Sequence, residues 1–273
     1  MYTEIWRNSC KSVCAIDFYS SSNVKVMSIS GFKVANQIVT DDMIYTVKDA
    51  HAVQIRFFRE DGTSEYAYLK LRYSDFLNLL PERSEFDHLG IAIIPADFPE
   101  FSKVPSLLLC KACDLKIGIS IAVIGFQVEH GNMALKPGTI SSHYTNSKGL
   151  SFLQYDGTIK PGNSGAPLLD ISTGRVVGVV MNKEMGFVKS YKDLIEIIDS
   201  NLKILKDQEG KSNFFDVDMA QVMSANQNQI KHILREFFLN ATVRVGFALE
   251  IGHILEYLET KMELDPDASA FCD

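Results

Sequence analysis

The 273-residue chain contains no uncharged apolar run of the ~18 residues that a membrane-spanning helix needs, so a helical membrane protein is excluded. It lacks an excess of positive charge. With 27 Lys and Arg against 34 Asp and Glu the formal charge is −7, and a basic stripe for non-specific nucleic-acid binding is not there. No internal repeat of 20–50 residues is present. The opening residues MYTEIWRNSCKSVC carry Glu4 and lack a basic segment followed by an apolar one, which sets the expectation of a cytoplasmic protein with no membrane partner. Cysteine is scarce and odd in number, with five residues (Cys10, Cys14, Cys110, Cys113 and Cys272), which argues against a secreted disulfide framework. Cys10, Cys14, Cys110 and Cys113 have the number of thiols for a zinc site, but their spacing is not a zinc signature. Cys14 also lies in the apolar run SVCAIDF, where a buried thiol is the ordinary state. No metal and no cofactor is therefore expected. What the chain does have is 46% hydrophobic residues, enough for a real core and too many for disorder as the dominant state.

From Ser12 to about Val188 the pattern is one of short β-strands. VCAIDFY, KVMSISGFKV, NQIVT, AVQIRFF, AYLKLRY, LGIAIIP, ISIAVIGF, GLSFLQY and GRVVGVVM are rich in Val, Ile, Phe and Tyr and bounded by Gly, Asp, Asn, Ser or Pro. So many short strands indicate a sandwich or a pair of barrels. After Gly186 the period changes. SYKDLIEIIDSNLKILK sets Leu194, Ile197, Ile198, Leu202 and Leu205 on one helical face, and DQEGKSN (207–213) has the polarity of a linker. Beyond Asp216 helical spacing predicts two further stripes, one from Met219 to Phe238 and one from Val243 through Phe247, Ile251 and Ile254 to Met262. Charge divides at the linker. Residues 1–206 hold 22 acidic and 22 basic residues, whereas 207–273 hold 12 acidic and 5 basic.

The most specific stretch is LQYDGTIKPGNSGAPLLDISTGRVVGVV (153–180). Glycines around Ser164 permit a tight turn, in which the N–H groups of Gly162 and Ser164 can point together at a developing oxyanion while the Ser164 hydroxyl stands as a nucleophile. GNSG alone would be read as a turn between two strands, and the wider context decides against that. GNSGAPLLD followed by Gly174 and RVVGVV, with Gln154-Tyr155-Asp156 ahead of the serine, AVIGF (122–126), GTIS (138–141), SVCAI and SGFKVANQIVT, resembles the trypsin-like serine proteases of the bacterial HtrA type over about residues 9–205.

That resemblance implies a mainly β protein with two packed six-stranded barrels, over about 9–100 and 110–190, and a closing helix over 190–206, all within a body of 1–206. An appended acidic α-helical hairpin would then occupy 207–273. The resemblance makes Ser164 the nucleophile position, Gly162, Asn163 and Ser164 the oxyanion hole, and Thr158 with Val179, Val180 and Met181 the walls of a peptide cleft that holds substrate as an added strand. It also shows two departures. Met43, in Thr40-Asp41-Asp42-Met43-Ile44, occupies the position of the catalytic histidine, and Gly90, in Gly90-Ile91-Ala92-Ile93-Ile94, occupies that of the catalytic aspartate. Methionine takes no proton and glycine orients nothing, so the expected product is a pseudoprotease with little or no proteolysis. Its cleft or its helical tail would engage protein or peptide partners. The alternative is an active endopeptidase in which His51 or His88 serves as base. The tail needs a surface to bury its apolar stripes, whether the body, a second copy in a homo-oligomer, or another protein.

Overall fold

The computed structural model describes residues 1–81, 89–111, 115–181, 186–211, 213–214, 217–240 and 243–255. It divides into two units, one of residues 1–182 with 243–273 and one of residues 183–242.

The first unit opens with α1 (Tyr2–Ser9), followed by β1 (Val13–Tyr19), β2 (Lys25–Val34), β3 (Gln37–Asp41), β4 (Ala52–Phe58), β5 (Glu65–Arg72), α2 (Tyr73–Leu79) and β6 (Ile91–Pro95). The six strands form one antiparallel sheet in the order β5-β4-β1-β2-β3-β6. In β4 the alternation predicted from AVQIRFF is realised. Val53, Ile55 and Phe57 are buried while Gln54 and Arg56 alternate with them on the wetter face. The sheet curls round its own core of Phe18, Phe57, Phe76 and Phe101, whose rings meet edge to face. Among the described residues no ladder joins β5 to β6.

The second half of this unit contains β7 (Ser120–Gln127), β8 (Asn132–Thr145), β9 (Ser151–Ile159), β10 (Pro167–Asp170) and β11 (Val176–Met181). The other unit follows as α3 (Gly186–Gln208), a two-stranded ribbon of β12 (Asn213–Phe214) with β13 (Val217–Asp218), and α4 (Met219–Asn240); the chain then returns to the first unit as β14 (Val243–Glu250). β14 pairs with β11 from Met181↔Phe247 to Gly178↔Glu250 and with β9 from Ile159↔Val243 to Phe152↔Leu249, which closes a six-stranded barrel in the order β10-β11-β14-β9-β8-β7. The fold is thus mainly β, one six-stranded sheet and one closed six-stranded barrel, with helices near the C-terminus.

Two expectations are corrected. The segment from Val243 is a strand, not a helix; Val243, Phe247 and Ile251 recur every four residues, which is twice the strand period and close to the 3.6 residues of a helix turn, so the spacing fits both. Gly246 and the β-branched Val243 and Val245 favour the strand. A body of 1–206 followed by a tail of 207–273 is therefore not the division found. Residues 190–206 belong to α3 of the inserted hairpin, and the barrel takes its last strand from beyond that hairpin. Leu258 and Met262, assigned to the same helical stripe, lie outside the described residues.

Candidate active site

The serine turn is built by the meeting of the two sheets. Ser30 of β2 donates its backbone N–H to the Ser164 carbonyl at 2.8 Å and its hydroxyl to the Gly162 carbonyl at 2.6 Å, and the same hydroxyl accepts the Phe126 N–H of β7 at 2.8 Å. Gly162 (φ 98°) and Gly165 (φ 80°) both lie in the left-handed region. Space requires them as well. A Cβ on Gly165 would stand 2.2 Å from the Ser30 carbonyl oxygen, and one on Gly162 would stand 2.7 Å from the Phe126 carbonyl oxygen. The turn then joins β11 through the Gly165 N–H to the Val180 carbonyl (2.8 Å) and the Val180 N–H to the Ala166 carbonyl (2.9 Å).

Asn163 anchors the turn from beneath. Fully buried, it donates from Nδ2 to the Phe126 carbonyl at 3.0 Å, while its Oδ1 accepts the Lys160 N–H at 2.9 Å and the Lys136 ammonium. Burial pushes the Lys136 amine down to about 8. The neighbouring charge of Lys160 acts in the same direction and Glu129 opposes it.

The Ser164 hydroxyl donates to Oδ2 of Asp41, the last residue of β3. Ser164 is 5% exposed and Asp41 3%. The other Asp41 oxygen, Oδ1, accepts the Met43 N–H at 2.9 Å, so Asp41 also caps the 3-10 turn over Asp42–Thr46. Met43 is half-buried on that turn. The neighbouring Asp42 N–H reaches the Gly90 carbonyl at 3.3 Å, and a Cβ on Gly90 (φ 72°) would stand 2.9 Å from Cε of Met181. Asp41, Met43, Gly90, Met181 and Ser164 thus converge where β3, the segment before β6, β11 and the serine turn meet. Asp41 was not singled out from the sequence. The signal available was an acidic pair at the end of the strand run QIVT, whose Ile38, Val39 and Thr40 are buried.

Other expected residues fall elsewhere. His51 is exposed, and its N–H binds the Tyr19 carbonyl at 2.7 Å at the far end of β1. Ser30, which holds the serine turn, pairs with Ala15 on the same strand, and the four residue steps from Ala15 to Tyr19 put the two places about 13 Å apart. His88 lies outside the described residues. His253 accepts the Ser151 N–H at 2.9 Å through Nε2 and ties the turn after β14 to β9. Thr158 is half-buried on β9. Val179 and Val180 are fully buried and bonded on both sides, to the β10 segment and to β14, so they offer no open edge to a peptide strand. Cys10 and Cys14 are free buried thiols, Cys110 is disulfide-bonded, and Cys113 lies outside the described residues. Burial raises the Cys10 thiol to about 11 and Cys14 further still. Among the described residues no three His, Cys, Asp or Glu side chains gather as a metal site would require, and no helix is long and apolar enough to cross a membrane.

This serine, on a doubly left-handed glycine turn held between the two sheets, lies within residues 21–179, which match the trypsin-like peptidase domain. The chain belongs to the trypsin-like peptidase family. The zebrafish (Danio rerio) serine proteases HTRA1A and HTRA1B are each 29% identical to it, over 170 and 163 residues, covering 59% and 57% of this chain and 31% and 30% of theirs. The trypsin-like chain therefore spans about a third of the length of these relatives. Among solved structures, the HtrA-type protease AlgW with a tripeptide superposes with a TM-score of 0.56 at 15% identity, covering 96% of this chain and 64% of that one. The active form of the Rv3671c protease from M. tuberculosis gives 0.52 at 16%, covering 94% and 83%. These likenesses concern the fold. The family match ends at Val179 on β11, so the inserted hairpin and β14 lie beyond it.

Proposed function

We propose that this trypsin-like domain is a pseudoprotease, a protein-binding subunit that retains the serine turn as a structural element and performs little or no proteolysis. The observation that carries this reading is a carboxylate partner of Ser164. Its hydroxyl donates to the buried carboxylate of Asp41, and the Met43 backbone holds the same carboxylate from its other oxygen. Acyl transfer needs a group that takes the serine proton and then protonates the leaving amine. Met43 has no such group, and Gly90 has no side chain with which to orient one. Val179 and Val180, bonded on both sides, bear only on the lack of proteolysis, since strand addition at those residues is forestalled by β14.

The second reading is an active endopeptidase in which Asp41 receives the proton directly, and the Ser164–Asp41 bond is the observation in its favour. A fluorophosphonate probe applied to the folded full-length chain separates the two. Absence of labelling in wild type is the expected result. Stoichiometric labelling that disappears in both Ser164→Ala and Asp41→Asn overturns the pseudoprotease reading in favour of the carboxylate base. Labelling lost in Ser164→Ala but kept in Asp41→Asn overturns it in favour of another base.

A further inference from the structure

Both helices of the hairpin carry an exposed apolar stripe besides the less exposed one. On α3 the less exposed stripe is Ile195, Ile198, Leu202 and Leu205, spaced three and four apart. On α4 the corresponding stripe is Ala220, Ser224, Gln227, Lys231 and Leu234, mostly small or polar. An ion pair from Lys231 to Asp199 joins the two helices along it. Further large apolar side chains of both helices are turned out. Leu194, Ile197 and Ile204 are 45%, 56% and 63% exposed on α3. On α4, Met219, Met223, Ile230, Ile233 and Phe237 are 42%, 54%, 46%, 52% and 68% exposed. With Asn201 filling one gap and Asn226 the other, each outer stripe keeps the alternating three-and-four spacing of a coiled-coil seam.

We propose that this hairpin is a dimerisation module, in which two copies of the chain pack their outer faces together as a four-helix bundle. Four observations select a second copy as the occupant. Seam spacing calls for helices of the same spacing, and a second hairpin supplies two of them, antiparallel, as the bundle requires. The outer side chains together offer on the order of 800 Å² of apolar surface, which is what each partner contributes to a standard stable interface. A single Asn within each apolar seam is the device that fixes register and copy number in self-associating helices, and here both stripes have one, Asn201 and Asn226. Finally, residues 183–242 carry nine acidic and eight basic residues, so two like hairpins approach without net repulsion.

Sedimentation equilibrium of the full-length chain tests this. Wild type is expected at twice the 30.5 kDa chain mass at micromolar concentration. Ile197→Glu with Ile233→Glu, in the middle of the two seams, is expected to weaken association at least 100-fold. Gln221→Glu with Asn228→Glu, exposed but off the seam, is expected to leave it unchanged. Asn226→Leu, which does not threaten folding, is expected to tighten association at least tenfold or raise the mass above a dimer. A wild type that stays monomeric at 100 µM overturns the proposal. So does a seam variant that remains dimeric, an off-seam variant that dissociates equally, or an Asn226→Leu protein that associates as wild type does.

Discussion

Gly165 shows how little freedom the serine turn has. Its φ of 80° and the 2.2 Å that would separate a Cβ from the Ser30 carbonyl oxygen mean that any side chain there must push β2 away from the turn. Gly165→Ala is expected to destabilise by roughly 3 kcal/mol or more, the scale of imposed backbone strain with loss of a packed contact, as read from urea denaturation. Lys136 adds a pH signature to the same turn. Its amine is pushed from 10.5 down to about 8, so the unfolded chain binds more protons than the folded one between those values. Stability from this group is then fully present above about 10.5 and lost as pH falls through about 8. Comparing thermal midpoints of wild type and Lys136→Met from pH 7 to 11 checks the sign, and wild type should gain on the variant as pH rises across that window. Subtracting the variant removes the opposite contribution of Cys10, whose thiol is raised in the folded state. The serine turn was legible in the sequence because its glycines and Ser164 are contiguous. Asp41 was not, because it meets Ser164 across 123 residues and no local pattern records that contact.

At the level of elements the instructive case is β14. Its apolar residues fit two periods, and only tertiary pairing chooses between them: β9 and β11 each present a row of backbone groups that VRVGFALE satisfies on both sides. Ala248 and Leu249 are fully buried as a result. A single substitution discriminates helix from strand here. In a helix interior, Gly246→Ala would stabilise by about 1 kcal/mol through propensity. In the strand, a Cβ at Gly246 would stand 2.3 Å from Cζ of Tyr155 and 2.5 Å from Cδ1 of Ile159, both packed inside the barrel. Gly246→Ala is therefore expected to lower the unfolding midpoint in urea, and an unchanged or raised midpoint would contradict the strand. The nine strand runs named from the sequence were readable because turn residues bracket them and apolar, β-branched residues fill them, whereas the short β10, β12 and β13 carry no such run. β14 follows a helix with no such bracket, since Ala241-Thr242 is all that separates it from α4.

For the whole molecule, the position of the hairpin matters more than its helicity. α3 and α4 are inserted between β11 and β14, which are hydrogen-bonded neighbours in the barrel. The −7 charge is redistributed accordingly. The hairpin unit is nearly neutral, and residues 243–273 hold seven acidic against two basic residues, so acidity gives no reason to seek a basic partner for the helices. The topology separates two deletions that a simple tail would have made equivalent. Ending the chain at residue 242 removes β14, opens the barrel between β9 and β11 and leaves two unpaired edges, so this truncation is expected to aggregate and to show no cooperative thermal transition. Excising residues 184–241 keeps every strand of both sheets. Met181 pairs with Phe247, and the four further residues back to Val243 span about 13 Å, which a Gly/Ser linker of about six residues bridges. That chain is expected to unfold cooperatively in calorimetry within a few degrees of wild type at dilute concentration, and to sediment as a monomer. Cooperative unfolding in the excised chain together with its loss in the truncated one would establish that the hairpin is a guest of the barrel, whereas β14 is part of it.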